Sequence, residues 1–238
     1  MTGGGRPGLG SRRWPEVAAT GRSSVLVLPV GSLEQHGPHL PLDTDSRIAT
    51  ALAGALAARR PAVVVGPALA YGASGEHAGF PGTLSVDHAV VTATVLELVR
   101  SARASFAGVI VVSGHGGNAA ALAKAATRSR FEGDQVLVWS PVVPGGDAHA
   151  GRTETSMVLA LDPGAVDLAA ARAGPDEPLE TLLGRLRAEG VRAVSANGVL
   201  GDPTGATADE GRALLADLTD DLVRRVDEWW PSTAAAAR

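Results

Sequence analysis

Short apolar runs alternate with longer helical patterns along most of the chain. Four runs are rich in Val, Ile and Leu and stop at Gly, Pro or Ser, which predicts buried strands at 25–30, 62–65, 109–113 and 135–139. Helical spacing of apolar positions predicts helices over 45–59, 86–105, 119–130, 154–161, 177–189 and 207–229. Strands that are apolar throughout and alternate with helices predict an α/β fold, a three-layer α/β/α sandwich with a mainly parallel central sheet.

The pattern contains no internal repeat and no linker long enough to divide the chain. Residues 1–13 are rich in glycine and residues 231–238 in alanine, so both ends are predicted to be disordered. Residues 14–230 are therefore expected to form a single domain.

Composition narrows the possible functions. The 238 residues include no cysteine, which excludes disulfides, thiolate metal sites and a cysteine nucleophile, so a bound metal must use nitrogen and oxygen ligands. The net charge is −4 and the arginines are scattered, so we expect neither a nucleic-acid partner nor a membrane partner. No apolar run reaches the ~18 residues that span a bilayer, and no signal-peptide pattern opens the chain, so a cytoplasmic enzyme is expected.

The residues after the first apolar run carry the strongest chemical signal. Glu34 and His36 lie two residues apart, and in extended backbone this spacing turns both side chains to one side. A carboxylate and an imidazole that converge suit a divalent ion such as zinc, iron or manganese. In parallel sheets ligands bind beyond the carboxyl ends of the strands, where His115 also falls.

Three further segments contain candidate residues, and each has a structural alternative. His115 lies in the glycine-rich turn 113–118 and could belong to a simple strand-to-helix connection. His149 and Glu154 flank the start of a predicted helix, where the carboxylate could merely complement the helix dipole. Glu76 and His77 lie in the glycine-rich loop 72–83, which is typical of binding loops but equally of solvated ones.

A dinucleotide-binding oxidoreductase is the competing interpretation. Gly114-x-Gly116-x-x-Ala119 matches the relaxed form of the dinucleotide fingerprint between a strand and a helix. That motif needs an acidic residue at the end of the following strand, which here ends in Trp139-Ser140-Pro141. This interpretation is therefore disfavoured.

Five motifs, taken in order, carry a family resemblance: Glu34-Gln35-His36-Gly37-Pro38-His39, Thr44-Asp45, Phe80-Pro81-Gly82-Thr83, Gly114-His115-Gly116-Gly117-Asn118 and His149-Ala150-Gly151-x-x-Glu154-Thr155-Ser156. Together they closely resemble the creatininase family of metal-dependent amidohydrolases. The resemblance implies one or two divalent ions per chain, Fe²⁺ or Zn²⁺ with Mn²⁺ as another option.

The resemblance also implies roles for individual residues. Glu34 and His115 would bind one ion and His36 the other, with Asp45, rather than nearby Asp43, bridging them. Creatininase has a glutamate two positions after the histidine that corresponds to His115. Gly117 stands there in this chain, so Glu154 is expected to be the replacement ligand and a catalytic residue. The remaining implied roles are proton transfer by His149, positioning of substrate or ligands by Glu76, His77 and Asn118, and structural roles for His39 and His88.

Within the family, the segments 72–77, 147–156 and 197–207 resemble a peptidase branch. The implied substrate is a small ribosomally made precursor peptide, cut so that its modified C-terminal Val-Tyr pair is released as the core of a redox cofactor. The alternatives are hydrolysis of a small cyclic amide or formamide, and a metal-binding protein without catalysis. The resemblance further suggests a homo-oligomer, a hexamer or octamer, with Trp229 and Trp230 either at interfaces or buried.

Overall fold

The central sheet is built from four parallel strands in the part of the chain that is described. The computed structural model describes residues 8–177 and 179–230. The strands are β1 (Val25–Val30), β2 (Val63–Val65), β3 (Gly108–Ser113) and β4 (Val136–Trp139). Their order is β2-β1-β3-β4, and all three pairings are parallel. The predicted parallel α/β architecture is confirmed.

Helices connect the strands and follow the last one. Their bounds are α1 (Trp14–Thr20), α2 (Thr44–Arg59), α3 (His88–Ala102), α4 (Ala119–Phe131), α5 (Arg152–Leu161), α6 (Leu179–Glu189), α7 (Val191–Val194) and α8 (Ala208–Trp229). The six predicted helices all exist. The helix predicted over 86–105 is shorter, because the Asp87 side chain caps it by accepting a hydrogen bond from the Ala89 N–H. The helices α1 and α7 were not predicted, since each is too short to show an apolar period.

The three layers follow from the burial of β1 on both faces. Val25 and Val27 belong to a core cluster with apolar residues of α2, α5 and α8. Leu26 and Leu28 point the other way, into a second cluster with residues of α3 and α4. A strand covered on both sides explains why its sequence is apolar without alternation.

The chain ends correspond only partly to described residues. Of the segment predicted to be disordered, residues 1–7 lie outside the description, whereas Leu9–Ser11 form a 3₁₀ turn. Residues 231–238 also lie outside it. Trp229 and Trp230 have ring centroids 5.4 Å apart and pack against the first core cluster. No helix among the described residues is both long and apolar enough to cross a membrane.

The fold places the carboxyl ends of β1 and β3 beside the start of α2. β1 and β3 are neighbours, and their last residues, Val30 and Ser113, are paired. The segments that continue beyond them therefore leave the sheet side by side. Backbone hydrogen bonds fix the first of these segments, because the Gly31 N–H donates to Leu69 and the Glu34 N–H donates to Leu42.

Candidate metal centre

Asp45 is the central carboxylate of the site beyond the carboxyl ends of β1 and β3. It lies in the first turn of α2, where the helix dipole favours negative charge, and it is only 2% exposed. Its Oδ1 lies 3.2 Å from Nε2 of His36, and its Oδ2 lies 3.3 Å from Nδ1 of His115. The Ser32 hydroxyl donates a hydrogen bond to Oδ2 at 2.5 Å. Asp45 thus faces a histidine on each side.

The two histidines reach Asp45 from different segments. His36 follows β1, and its Nδ1 lies 3.1 Å from the Glu34 carbonyl oxygen, so Nδ1–H donates there and Nε2 faces the site. His115 follows β3, and its Nε2 lies 3.0 Å from the Ala73 carbonyl oxygen and 3.2 Å from Oε2 of Glu34. The strand ends therefore bring Glu34, His36 and His115 together, although β1 itself stops four residues before Glu34.

Glu154 approaches from the first turn of α5. Its Oε2 lies 4.0 Å from Nε2 of His36 and accepts a hydrogen bond from the Ala150 N–H at 2.6 Å. Ala150 has φ 52°, and no other described non-glycine residue has a positive φ. A residue with a side chain costs on the order of 1 kcal/mol or more in this conformation, and such strain is concentrated at functional sites. Here it turns the backbone so that His149 and Glu154 both face the cluster.

These side chains form two ligand groups that share Asp45. Glu34, Asp45 and His115 offer atoms close enough together to hold one ion, and His36, Asp45 and Glu154 offer a second set. A third combination of Glu34, His36 and His149 also satisfies this criterion. The first two combinations contain the same residues as the ligand sets that the family resemblance implies, and their role as ligands stays a prediction.

The burial and the hydrogen-bond partners of the Glu34 carboxylate show whether the site suits a cation. Glu34 is fully buried, and neither of its carboxylate oxygens has a hydrogen-bond partner within the described residues. Nitrogen atoms of His77 and His115 lie 3.2 Å away, but they are not aligned for hydrogen bonds. A buried carboxylate without hydrogen-bond partners is strongly unfavourable, so a bound cation would satisfy its oxygens.

The electrostatics of the cluster agree with this conclusion. Burial and the neighbouring Asp45 raise the pKa of Glu34 to about 7. Burial opposes the charged form of His36, but Asp45 outweighs it and raises the pKa of His36 to about 10. Burial likewise opposes a charge on His115, whose pKa is nevertheless raised to about 9 by Asp45 and Glu34. Without a metal the site holds protons that a divalent ion would displace.

The loop 72–83 supplies two residues at the margin of the site. His77 is buried, with Nε2 3.2 Å from Oε1 of Glu34 and Nδ1 2.9 Å from the side-chain nitrogen of Gln35. Glu76 has a side chain that is 30% exposed, and its Oε1 lies 3.7 Å from Nε2 of His115. His77 therefore adjoins the ligands, whereas Glu76 lies where the site opens to solvent.

His149 is buried beside the rings of His36 and His77. Its ring centroid lies 4.4 Å from that of His36 and 4.5 Å from that of His77, and its Nδ1 lies 3.9 Å from Oε1 of Glu34. Burial and the nearby charge of His36 lower the pKa of His149 well below its ordinary value. The ring is therefore neutral near pH 7.

Asn118 occupies a different position from the one predicted for a substrate-binding residue. It is fully buried, its Oδ1 accepts from the Ala73 N–H at 2.9 Å, and its Nδ2 donates to the Gly31 carbonyl at 3.0 Å. An amide whose groups both bind backbone holds the two loops together and does not face a substrate, so the geometry gives no support to that role.

The surroundings of Asp43 and Gly117 bear on two predictions from the sequence, namely Asp45 rather than Asp43 as a ligand and the absence of a ligand at position 117. Asp43 points away from the cluster and pairs with Arg47 at 2.6 Å, whereas Asp45 points into it. A Cβ atom on Gly117 would lie 2.3 Å from Nε2 of His115 and 2.6 Å from Oε1 of Glu76. The space beside Gly117 is thus already filled, and no larger residue fits there.

Ser32 and Gln35 also belong to the site, although neither was predicted from the sequence. Ser32 binds Asp45, and Gln35 contacts His77 and His149. Ser32 precedes Glu34 by two residues, so the spacing that pairs Glu34 with His36 could have included it. His39 and His88 have structural contacts, as expected, with the Thr155 hydroxyl and the Gly117 carbonyl.

Comparison with known proteins identifies the class to which this fold and site belong. The sequence profile described as "Creatininase: Creatinine amidohydrolase" matches residues 11–226. The chain therefore belongs to the creatininase family, and the expected class of amide-bond hydrolase is confirmed.

A more specific likeness appears among the individual relatives. The chain is 48% identical over 233 residues to the mycofactocin precursor peptide peptidase of Mycobacterium tuberculosis (strain CDC 1551 / Oshkosh), covering 94% of this chain and 92% of the relative. A solved structure described as "Creatininase Mn" has a TM-score of 0.78 at 30% identity and covers 94% of this chain and 98% of its own. A mutant creatininase described as "Zn-Zn type" has a TM-score of 0.76 at 30% identity, with the same coverage.

Proposed function

We propose that this chain is a two-metal peptidase that cuts an amide bond near the C-terminus of a modified precursor peptide. The observation that carries the proposal is the pair of ligand groups sharing Asp45. The site would release the modified Val-Tyr pair of the mycofactocin precursor, and the 48% identity to a peptidase named for that precursor supports this choice. The occupied space beside Gly117 supports it further, because creatininase has a glutamate at that position.

The two groups of side chains that share Asp45 support an assignment of ligands to each ion. Glu34, His115 and Asp45 would hold one divalent ion, and His36, Glu154 and Asp45 would hold the other. Fe²⁺ and Zn²⁺ are the preferred candidates and Mn²⁺ is the third, because all three accept nitrogen and oxygen ligands. When bound, such ions lower the pKa of water toward about 7 and polarise an amide carbonyl.

His149 would transfer the proton in this reaction. Its neutral ring turns Nδ1 toward Glu34, where the reacting groups would meet. Nδ1 would accept the proton released during attack on the amide and then donate it to the leaving nitrogen. The low pKa of His149 favours release of the proton in the second step.

Two carboxylates at the margin of the site would meet the substrate first. The side chains of Glu76 and Glu154 are 30% and 21% exposed, whereas those of Glu34, His36 and Asp45 are nearly inaccessible. We propose that Glu76 contacts N–H groups of the peptide. Such a contact would orient the scissile amide over the shared carboxylate.

The experiment that tests the proposal is mass spectrometry of the modified precursor after incubation with the metal-loaded protein. Creatinine and a formamide are run beside it. We expect release of the C-terminal fragment by the protein and by Asp43→Asn, and a loss of at least about 100-fold in Asp45→Asn. Cleavage that persists in Asp45→Asn, or turnover of creatinine alone, would contradict the proposal.

We also propose a homo-oligomer, a hexamer or octamer, as the family resemblance implies. Phe131 and Val142 are 82% and 78% exposed, which leaves apolar surface available for contacts between copies. Light scattering on the full chain should give a mass several times that of one copy. A monomer at working concentration would contradict this part of the proposal.

A further inference from the structure

Gln35 lies between two proposed ligands, and its side chain connects elements that are distant along the chain. It is 5% exposed, and its Nε2 lies 2.9 Å from Nδ1 of His77 and 3.0 Å from the Gly198 carbonyl oxygen. The same nitrogen lies 3.1 Å from Nε2 of His149, and the Oε1 atom accepts a hydrogen bond from the Gly37 N–H at 2.8 Å. Gln35 thus contacts His77 and His149, the two histidines that belong to neither proposed ligand set.

The orientation of the Gln35 amide follows from its fixed partners. The Gly37 N–H can only donate, so the atom that it meets must be the oxygen. The Gly198 carbonyl can only accept, so the atom that it meets must be the nitrogen. A flipped amide would place two donors together at Gly37 and two acceptors together at Gly198, which excludes that orientation.

The side-chain amide of Gln35 then determines which nitrogen of His77 carries the proton, and the backbone carbonyl of Gln35 determines this for His149. Its two N–H groups donate to Gly198 and to Nδ1 of His77, so Nδ1 of His77 is unprotonated. His149 lies with Nε2 2.9 Å from the backbone carbonyl of Gln35, so Nε2–H donates there. Both neutral rings are therefore Nε2–H tautomers. The Nε2–H of His77 lies 3.2 Å from Oε1 of Glu34 without the alignment of a hydrogen bond, and His149 turns an unprotonated Nδ1 toward the site.

Gly198 makes this arrangement possible. Its φ is 80°, and a Cβ atom there would lie 1.8 Å from Oε1 of Gln35, so no side chain fits. The turn around it is held by hydrogen bonds between Leu200 and His149, 2.9 Å from Leu200 N–H to the His149 carbonyl. The glycine-rich turn 197–206 thus supplies the Gly198 carbonyl oxygen, which orients the side-chain amide of Gln35.

We propose that Gln35 is a positioning residue whose side-chain amide fixes the tautomer of His77 and whose backbone carbonyl fixes that of His149. The catalytic consequence rests on the proposed function, since the unprotonated Nδ1 of His149 is the atom that would take up the proton. The tautomer assignment itself depends only on the contacts of Gln35.

Long-range ¹⁵N–¹H spectroscopy of histidine-labelled protein, metal-free and loaded with diamagnetic Zn²⁺, tests the assignment directly. The chain has six histidines, so individual replacement can assign each signal. We expect the Nε2–H pattern for His77 and His149 in the native protein. In Gln35→Glu the carboxylate accepts where the amide donated, so His77 should acquire a proton on Nδ1. In Gln35→Met, which has a similar size and no donor, the signal of Nδ1 of His77 should shift.

Kinetics separate this role from a purely structural one. Both Gln35 variants keep the backbone carbonyl that faces His149 but change the protonation of His77, whose Nε2 lies 3.2 Å from Oε1 of Glu34. Both should therefore lose about 10- to 100-fold in kcat with a much smaller change in KM, while metal content is unchanged. The matched controls Gln135→Glu and Gln135→Met alter an exposed glutamine far from the site and should behave like the native protein.

An Nδ1–H pattern for either histidine in the native protein would overturn the proposal, even if neither variant folds. Unchanged signals in a folded Gln35→Glu variant would also overturn it. If the tautomers are as expected but the precursor is not cleaved, the proposed function fails and the role of Gln35 stands.

Discussion

Replacing Glu34 by glutamine should have opposite effects on stability with and without metal. In the metal-free protein the pKa of Glu34 is raised from its ordinary value of 4.5 to about 7, chiefly by burial. Each pKa unit corresponds to about 1.4 kcal/mol, so ionised Glu34 destabilises the fold by about 3 kcal/mol above pH 7. Because the folded state holds this proton more tightly than the unfolded state, the penalty is nearly absent below the ordinary pKa and grows as the pH rises toward 7.

Glutamine is neutral and close in size, but its buried amide also lacks partners, at a cost of about 1–2 kcal/mol. We therefore expect metal-free Glu34→Gln to be about 1–2 kcal/mol more stable than the native protein near pH 8, with no gain near pH 5. Saturating Zn²⁺ should reverse the order, because an ion at 100 times its Kd stabilises the native protein by about 2.7 kcal/mol. Only the native protein has the full ligand set.

Urea unfolding of both proteins, in chelator and in Zn²⁺, measures these differences. Glu189→Gln changes an exposed glutamate and should stay within about 0.5 kcal/mol of the native protein under every condition. A Glu34→Gln variant that is clearly less stable than the native protein at pH 8 without metal would refute the argument from the orphaned carboxylate. Equal stabilisation of both proteins by Zn²⁺ would refute the role of Glu34 as a ligand.

Three further predictions concern the surroundings of the ligands. Gly117→Ala should weaken metal binding about 10-fold or more, because its Cβ atom would displace His115, whereas Gly116→Ala has open space and should bind normally; equal affinities by calorimetry would show that the space beside Gly117 adapts. Metal affinity should rise by about 10-fold or more per pH unit between pH 6 and 8, because the ion displaces protons from histidines whose pKa values are raised to about 9 and 10; a flat titration profile would contradict this. Ala150→Val places a β-branched residue at φ 52° and should lower metal content, whereas Ala150→Gly should change the free energy of unfolding by less than about 1 kcal/mol; normal metal content in Ala150→Val would show that this turn does not orient Glu154.

The strands and the position of the site could be predicted because both depend on local pattern. An apolar run such as 109–113 identifies a buried strand, and the rule that ligands gather beyond carboxyl ends then places His115 beside the residues after β1. The choice of Asp45 over Asp43 came from the family resemblance alone. Only the direction of α2 shows that Asp43 points to solvent.

The contacts of the amide side chains could not be predicted, because they join distant segments. Gln35 meets Gly198 across 163 positions, and Asn118 meets Gly31 across 87. No periodicity in the sequence indicates that residues so far apart are in contact. A buried amide in a glycine-rich turn looks the same in sequence whether it binds a substrate or the backbone, which is why Asn118 was given a substrate-binding role.

Anomalous diffraction from crystals grown with Zn²⁺ would locate both ions relative to Asp45. We expect two metal peaks per chain, one in contact with Glu34 and His115, the other with His36 and Glu154, and both in contact with Asp45. A single peak bound by Glu34, His36 and His149, or peaks that do not touch Asp45, would contradict it.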